Sequence, residues 1–216
     1  LKFHSTPTFI VSEQLIATEL PFDSKSSTSV SDNRFPVGLP NNASAIVIVG
    51  PPGSNKAEIA KRIASRYDGF MHLSMGNLLR NEVHANADDQ LWQRIGQKIS
   101  AGEPVPMKIC RELLYSKIYD EDNGCKGYVI EGYPRANNQA VDFENQVDQI
   151  TLVILIDCTE EFCIQTIARR NKDKITARED DNEEAINSRL EMFKQNTLPM
   201  LKYFDDKGKL KVVCIT

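Results

Sequence analysis

A chain of 216 residues with 41% hydrophobic content holds enough apolar material for one substantial core and has no need of a second domain. Its formal net charge of −4 argues against a broad nucleic-acid or membrane surface, because those partners demand a net basic face. Any anionic ligand must therefore meet locally clustered Lys and Arg. Five cysteines, Cys110, Cys125, Cys158, Cys163 and Cys214, occur without a CxxC pair and read as reduced thiols rather than as a disulfide framework. With no apolar run of membrane-span length and no basic-then-apolar leader, the expectation is a cytoplasmic protein.

In chain order, residues 1–42 are rich in Ser and Thr with scattered Pro and Gly and read as an arm or linker. A short strand at 8–11 or a helical turn near 14–17 is the local structure expected inside it. Residues 43–216 then read as one domain. The run Ala45-Ile46-Val47-Ile48-Val49-Gly50-Pro51-Pro52-Gly53-Ser54-Asn55-Lys56-Ala57-Glu58 is a β-branched strand, a Gly/Pro turn and a helix opened by lysine. This is the geometry that aims backbone N–H groups at phosphate. Two working positions depart from G-x-x-x-x-G-K-[ST]: Asn55 stands where the last Gly belongs, and Ala57 and Glu58 bring no hydroxyl. Asn tolerates a left-handed backbone, so the turn survives. A Glu58 carboxylate about 4 Å from a phosphate would cost on the order of 4 kcal/mol at an effective dielectric near 20, unless it swings away.

Further strands are expected at 70–73, 127–131, 151–157 and 210–215, alternating with helices at 88–100, 106–119, 160–170 and 182–203, the last interrupted by Pro199. Ser74 is a good N-cap for another helix carrying Leu78, Leu79 and Val83. Alternating buried strands and helices give the fold class α/β: a parallel five-stranded sheet in a three-layer αβα arrangement.

Downstream motifs then give the loop a context. His72-Leu73-Ser74-Met75-Gly76-Asn77-Leu78-Leu79-Arg80, Gly102-Glu103-Pro104-Val105-Pro106, Gly127-Tyr128-Val129-Ile130-Glu131-Gly132-Tyr133-Pro134-Arg135, and the arginines of Ala168-Arg169-Arg170, Ala177-Arg178 and Ser188-Arg189-Leu190 follow in order. From Ala45 to Thr216 the chain resembles adenylate kinases and related nucleoside monophosphate kinases of the short-lid type. An isolated arginine would read as a weak surface salt-bridge partner; joint occurrence at motif positions reverses that reading.

The resemblance implies a P-loop fold with a monophosphate-binding helical lobe over about 74–105 and a short lid over about 170–180, without a zinc site. It implies ATP as phosphoryl donor, held by Gly50, Gly53, Ser54, Asn55, Lys56, Ala57, Glu58 and Arg170. AMP would be the small-molecule substrate, held by Met75, Arg80, Val105, Gly132, Arg135, Gln139, Arg178 and Arg189. Lys56, Arg135, Arg170, Arg178 and Arg189 are the implied catalytic cations, and Glu131 stands at the family's aspartate for Mg²⁺, a hard ion suited to carboxylate oxygen. Gln139, with Ala136 after the arginine, leans the base towards adenine. Met75, Asn77 and Thr166 replace a Thr, an Asp and an Arg of the family.

Two functions fit this reading. One is a nucleoside monophosphate kinase converting ATP and AMP to two ADP, weakened by its loop. The other is a non-catalytic module of the same fold, serving nucleotide binding or assembly in a larger protein. The start without Met and the stop at Thr216 suggest a piece of a longer chain, otherwise a monomer. Because the family places a helix after the final strand, the arm residues Phe9, Ile10, Leu15 and Ile16 are expected to cover that apolar surface instead.

Overall fold

Continuous β-branched runs are what a parallel sheet covered on both faces demands, and those runs become strands in a computed structural model that describes residues 34–119, 124–148, 150–172, 178 and 181–215. Among the described residues the strands are β1 (Ser44–Val49), β2 (Phe70–Ser74), β3 (Gly127–Glu131), β4 (Ile150–Cys158) and β5 (Leu210–Ile215). They lie in the order β2-β3-β1-β4-β5, and every pairing is parallel. The sheet is the one expected.

The period-two pleat divides the core in two. Val47, Val49, Tyr128, Ile130, Val153 and Leu155 join a large cluster on one face. Ile46, Ile48, Val129, Ile154 and Ile156 meet Ala60 and Ala64 of α1 (Lys56–Arg66) on the other. On the large face α4 (Met107–Tyr119) contributes Leu114 and Ile118, and α8 (Leu198–Asp206) contributes Met200 and Phe204. Fully burying such a side chain stabilises by about 1.5–3 kcal/mol, an upper figure because the unfolded chain is already partly collapsed.

The caps also follow the sequence. Ser74 accepts from Asn77 N–H at 3.3 Å to start α2 (Met75–Ala85). Asp89 accepts from Leu91 and Trp92 N–H to start α3 (Gln90–Ser100). The run expected over 182–203 becomes α7 (Glu183–Met192), a π turn (Phe193–Thr197) and α8, with Pro199 in the first turn of α8, where its missing N–H costs nothing. The remaining helices are α6 (Glu160–Lys172) and α5 (Asn137–Val147). No counterpart of α5 stands among the helices expected above: its polar Asn-Asn-Gln opening hides a buried stripe of Ala140, Phe143 and Val147.

The arm boundary falls earlier than 42. The compact unit begins at Arg34, because Phe35 is buried against the Tyr115 and Tyr119 rings at 5.8 and 5.7 Å and Gly38 N–H donates to the Gln146 carbonyl at 2.9 Å. The expected strand or turn inside the arm, and the docking of Phe9, Ile10, Leu15 and Ile16, lie outside the described residues. Among the described residues no helix is long and apolar enough to cross a membrane.

One ion cluster ties α5 to the end of the chain. Glu144 is buried; it accepts from Lys209 Nζ at 2.6 Å and from Lys207 Nζ and Tyr203 OH on its other oxygen. Burial by itself would raise this carboxyl, but the hydrogen bonds from Lys207, Lys209 and Tyr203 prevail and hold it down to about 2. A depressed folded pKa stabilises above the ordinary carboxylate value and ceases to do so as pH falls from about 4.5 towards 2. Glu144→Gln should therefore cost about 1.5–3 kcal/mol at neutral pH, measured by urea unfolding, and the gap from wild type should close near pH 2. An unchanged gap would show that the cluster does not carry the effect.

Candidate functional site

The carboxyl ends of β1, β2 and β3 open into one cleft of about 500 Å³, the place where open α/β sheets bind ligands. Its floor is the loop after β1. Gly53 has φ +86°, which glycine alone adopts freely. At Gly50 an added methyl group would sit 2.6 Å from Ser54 Oγ and 3.2 Å from the Ile156 carbonyl oxygen, so a larger residue there would displace the buried Ser54 hydroxyl. Asn55 takes φ 60° and ψ 16°, keeping the turn that the missing glycine would have made. Its carbonyl accepts the first helical N–H bonds, from Glu58 and Ile59, both at 3.1 Å.

Lys56 Nζ donates to the Pro51 carbonyl at 3.0 Å and so stays folded over the loop. Burial, then the neighbouring charges of Arg135 and Arg178, pull this ammonium down to about 8, with Glu131 opposing. Ser54 is fully buried and its hydroxyl has no partner among the described residues; of the expected site residues it is the one beneath the cleft lining rather than in it. An orphaned hydroxyl beneath a glycine turn and an ammonium suits a phosphate. Glu58 stays in the cleft lining, but its carboxylate is turned to Arg62, accepting from Nε at 2.9 Å one turn along α1, and is half exposed.

Helix α2 brings Met75, which is buried, and Arg80, whose Nη2 donates to Asn77 Oδ1 at 2.7 Å. The end of β3 supplies Glu131, and the turn after it Gly132 and Arg135. Arg135 Nε donates to the Gly132 carbonyl at 2.8 Å, and Gln139 Oε1 accepts from Arg135 N–H at 2.8 Å. Gln139 thus lines the cleft and also closes the turn into α5. Burial lowers the Arg135 pKa, Glu131 opposes that shift, and Arg189 and Arg80 add to it. The backbone beyond α3 brings Val105 to the wall.

Opposite stand Arg170, Arg178 and Arg189. Arg170 Nε and Nη2 both donate to Asp181 Oδ2, the former at 2.8 Å, and Arg189 Nη1 lies 3.7 Å from Asp181 Oδ1. Arg189 Nη2 donates to the Ile99 carbonyl at 3.0 Å. Of the expected lid, residues 173–177 and 179–180 lie outside the described residues. Thr166 is buried on α6 and is not part of the lining.

Sequence reasoning assigned no role to Asp181 and read Ser74 only as a cap. Asp181 is buried and holds two arginines at once. Ser74 Oγ donates to Glu131 Oε1, tying the start of α2 to the end of β3. Neither partnership leaves a local signal, since the partners lie 11 and 57 residues apart.

Glu131 is a buried carboxylate facing Lys56 and Arg135 electrostatically. Among the described residues no group of three or more His, Cys, Asp or Glu side chains could hold a metal. A single carboxylate beside a phosphate site still fits Mg²⁺, which keeps most of its waters and takes phosphate oxygens as ligands.

The adenylate kinase family model matches residues 48–209. Human adenylate kinase isoenzyme 1 is 33% identical over 168 residues, 78% of this chain and 84% of that protein. Uridylate kinase of Saccharomyces cerevisiae is 33% identical over 176 residues, 81% of this chain and 84% of its own length. Bovine adenylate kinase isoenzyme 5 is 36% identical over 163 residues, which are 76% of this chain but 28% of that longer relative. The phosphate loop, the arginine-lined cleft and these matches agree, and the chain belongs to the adenylate kinase family.

Proposed function

We propose that the chain is a nucleoside monophosphate kinase that moves the terminal phosphoryl group of ATP to AMP, giving two ADP. The observation that carries this reading is the convergence of Lys56, Arg80, Arg135, Arg170, Arg178 and Arg189 on one cleft in a chain of net charge −4. The AMP phosphate is already ionised at neutral pH, so an oxygen of it can attack the terminal phosphorus while the bond to the β-phosphate oxygen breaks. No general base is needed, and catalysis reduces to positioning and cationic stabilisation.

In this reading the loop N–H groups and Lys56 hold the β- and γ-phosphates of ATP. Arg80 and Arg135 grip the AMP phosphate, arginine being suited to bidentate contact. Arg170, Arg178 and Arg189 meet the moving group, with Asp181 fixing the first and last of these. Gln139 offers the adenine a polar edge. Glu131 would hold Mg²⁺ through waters, and that ion, when bound, neutralises charge building on the phosphate oxygens. A specific observation keeps the non-catalytic module as the second reading: Ala57 and Glu58 place no hydroxyl at the start of α1, and Glu58 lines the cleft.

Coupled measurement of ADP production from ATP and AMP with Mg²⁺ separates the two. Arg135→Ala and Lys56→Met should each lose about 10²–10³-fold in rate, as single donors to developing charge do, and AMP should be preferred to CMP and UMP. Wild type as idle as both variants sinks the kinase reading; faster turnover of CMP or UMP sinks the base assignment.

Repair of the loop tests its departures. Because Glu58 is half exposed and paired with Arg62, its repulsion of phosphate is screened far below the contact value. Asn55→Gly with Glu58→Thr should tighten ATP by only about two- to tenfold, with the two changes non-additive in a double-mutant cycle. A gain of about 10³-fold would mean that the carboxylate turns inward when nucleotide binds.

Lys56 supplies a proton-linked signature. With the Lys56 pKa lowered to about 8, a bound triphosphate raises it, so ATP binding near pH 8 should place about half a proton on this lysine, and none on it near pH 6. Calorimetric titration in buffers of unequal ionisation enthalpy measures this. Lys56→Arg, which stays charged, should bind ATP without uptake; uptake persisting in that variant assigns the proton to another group.

A further inference from the structure

Two cysteines of this chain meet behind the phosphate loop, and the chemistry outlined above uses neither. Cys158 ends β4 and Cys163 sits in the first turn of α6, with the two sulfurs 3.4 Å apart. Cys163 is 1% exposed and Cys158 is half-buried, so a small reagent reaches Cys158 first. The first turn of α6 leans directly on the loop. A methyl group at Gly53 would lie 2.4 Å from the Cys163 carbonyl oxygen and 2.8 Å from its Cα. Nothing separates the Cys163 backbone from the turn that is read here as cradling phosphate.

We propose that Cys158 and Cys163 form a redox-modification site: a peroxide converts the pair to an intramolecular disulfide, and the closure reshapes the phosphate loop. The Cys158 thiolate attacks one peroxide oxygen, the O–O bond breaks, and a sulfenic acid and one water result. The Cys163 thiolate then attacks the Cys158 sulfur and expels the hydroxyl as a second water. Two electrons and two protons leave the thiols, and one peroxide becomes two waters.

A disulfide needs its sulfurs about 2 Å apart, so closure draws the first turn of α6 towards the end of β4 by roughly an ångström. Cys163 N–H is bonded to the Thr159 carbonyl at 3.1 Å and Phe162 N–H to Thr159 Oγ1 at 3.2 Å. Drawing Cys163 towards Cys158 therefore disturbs this turn, and the Cys163 backbone takes its close approach to Gly53 along. Burial, the neighbouring sulfur and Asp157 push the Cys158 thiol up to about 12, with Lys56 opposing. Thiolate is scarce near neutral pH, and the pair closes under sustained rather than brief peroxide.

The consequence for nucleotide rests on the loop being the ATP site, so the test reads chemistry, loop and nucleotide separately. A Cys214→Ser background removes the exposed cysteine as a source of cross-linking between molecules. After hydrogen peroxide at about pH 8.5, where more thiolate is present, mass spectrometry should find two hydrogens lost from the peptide carrying both cysteines. Amide hydrogen exchange over residues 50–57 should rise, and ATP affinity should fall by about tenfold or more. Dithiothreitol should reverse all three changes; Cys158→Ser and Cys163→Ser should show none of them.

Over-oxidation of Cys158 to sulfinic acid without the linked peptide overturns the proposal. So does a clean disulfide that leaves loop exchange unchanged. If the reduced protein binds no ATP, the kinase reading fails by itself, and loop exchange still decides this one.

Discussion

The arrangement that everything else serves is a set of positive charges held together before any anion arrives. Lys56, Arg80, Arg135, Arg170, Arg178 and Arg189 line one cleft, where like charges repel more strongly than they would in bulk water. The strain is visible in the ionisation of Lys56 and Arg135, both lowered by burial and then by neighbouring arginines, Arg135 and Arg178 for the first and Arg189 and Arg80 for the second. A lysine with a lowered folded pKa means that the unfolded state binds more protons, so this residue makes stability rise as pH climbs from about 8 to 10.5. At neutral pH the site is thus a burden on the fold, and two buried carboxylates relieve it. Glu131 faces Lys56 and Arg135, and Asp181 bridges Arg170 and Arg189.

Topology explains how Lys56 and Arg189, far apart in sequence, come to line one cleft. All strands are parallel, so each delivers its following loop to the same edge of the sheet. β1 gives the phosphate loop, β2 gives Ser74 and α2, β3 gives Glu131 to Arg135, and β4 gives the first turn of α6. Short polar contacts then fix their spacing. Ser74 ties α2 to Glu131, Thr197 Oγ1 donates to the Arg135 carbonyl at 2.9 Å, and Ser188 Oγ donates to the Gly102 carbonyl at 3.3 Å. An arginine fork held this way gives up little freedom when it grips a phosphate, which is the advantage of preorganisation.

Much of the fold was legible because buried parallel strands appear as unbroken β-branched runs and because a cap is local, as Ser74 is to its helix. Two features were not. α5 begins with residues that favour turns, and its identity rests on Phe143 and Val147 finding the core. Phe35 sits in a Ser- and Pro-rich stretch whose composition says linker, and only the Tyr115 and Tyr119 rings make it part of the domain. Within the site, the cations and Gly turns were legible as motifs. The roles of Asp181 and Ser74 are tertiary, and periodicity carries no trace of them.

The altered loop shows how sequence and geometry divide the question. Asn55 occupies a left-handed backbone at φ 60°, which costs an L-residue roughly 1–2 kcal/mol in general and less for Asn. That cost falls on folding and leaves the left-handed turn in place. Glu58 is different, since its carboxylate repels the ligand rather than straining the chain. The i,i+4 spacing to Arg62 gives that carboxylate a partner on the solvent side of α1, a surface pair worth only about 0.3–0.5 kcal/mol. So weak an anchor leaves the Glu58 carboxylate free to respond to the charges gathered in the cleft. A phosphate repels the carboxylate outward, whereas a cation gathered with the phosphates would draw it back, so the charge of the bound complex, rather than the loop's shape, decides how much this residue obstructs.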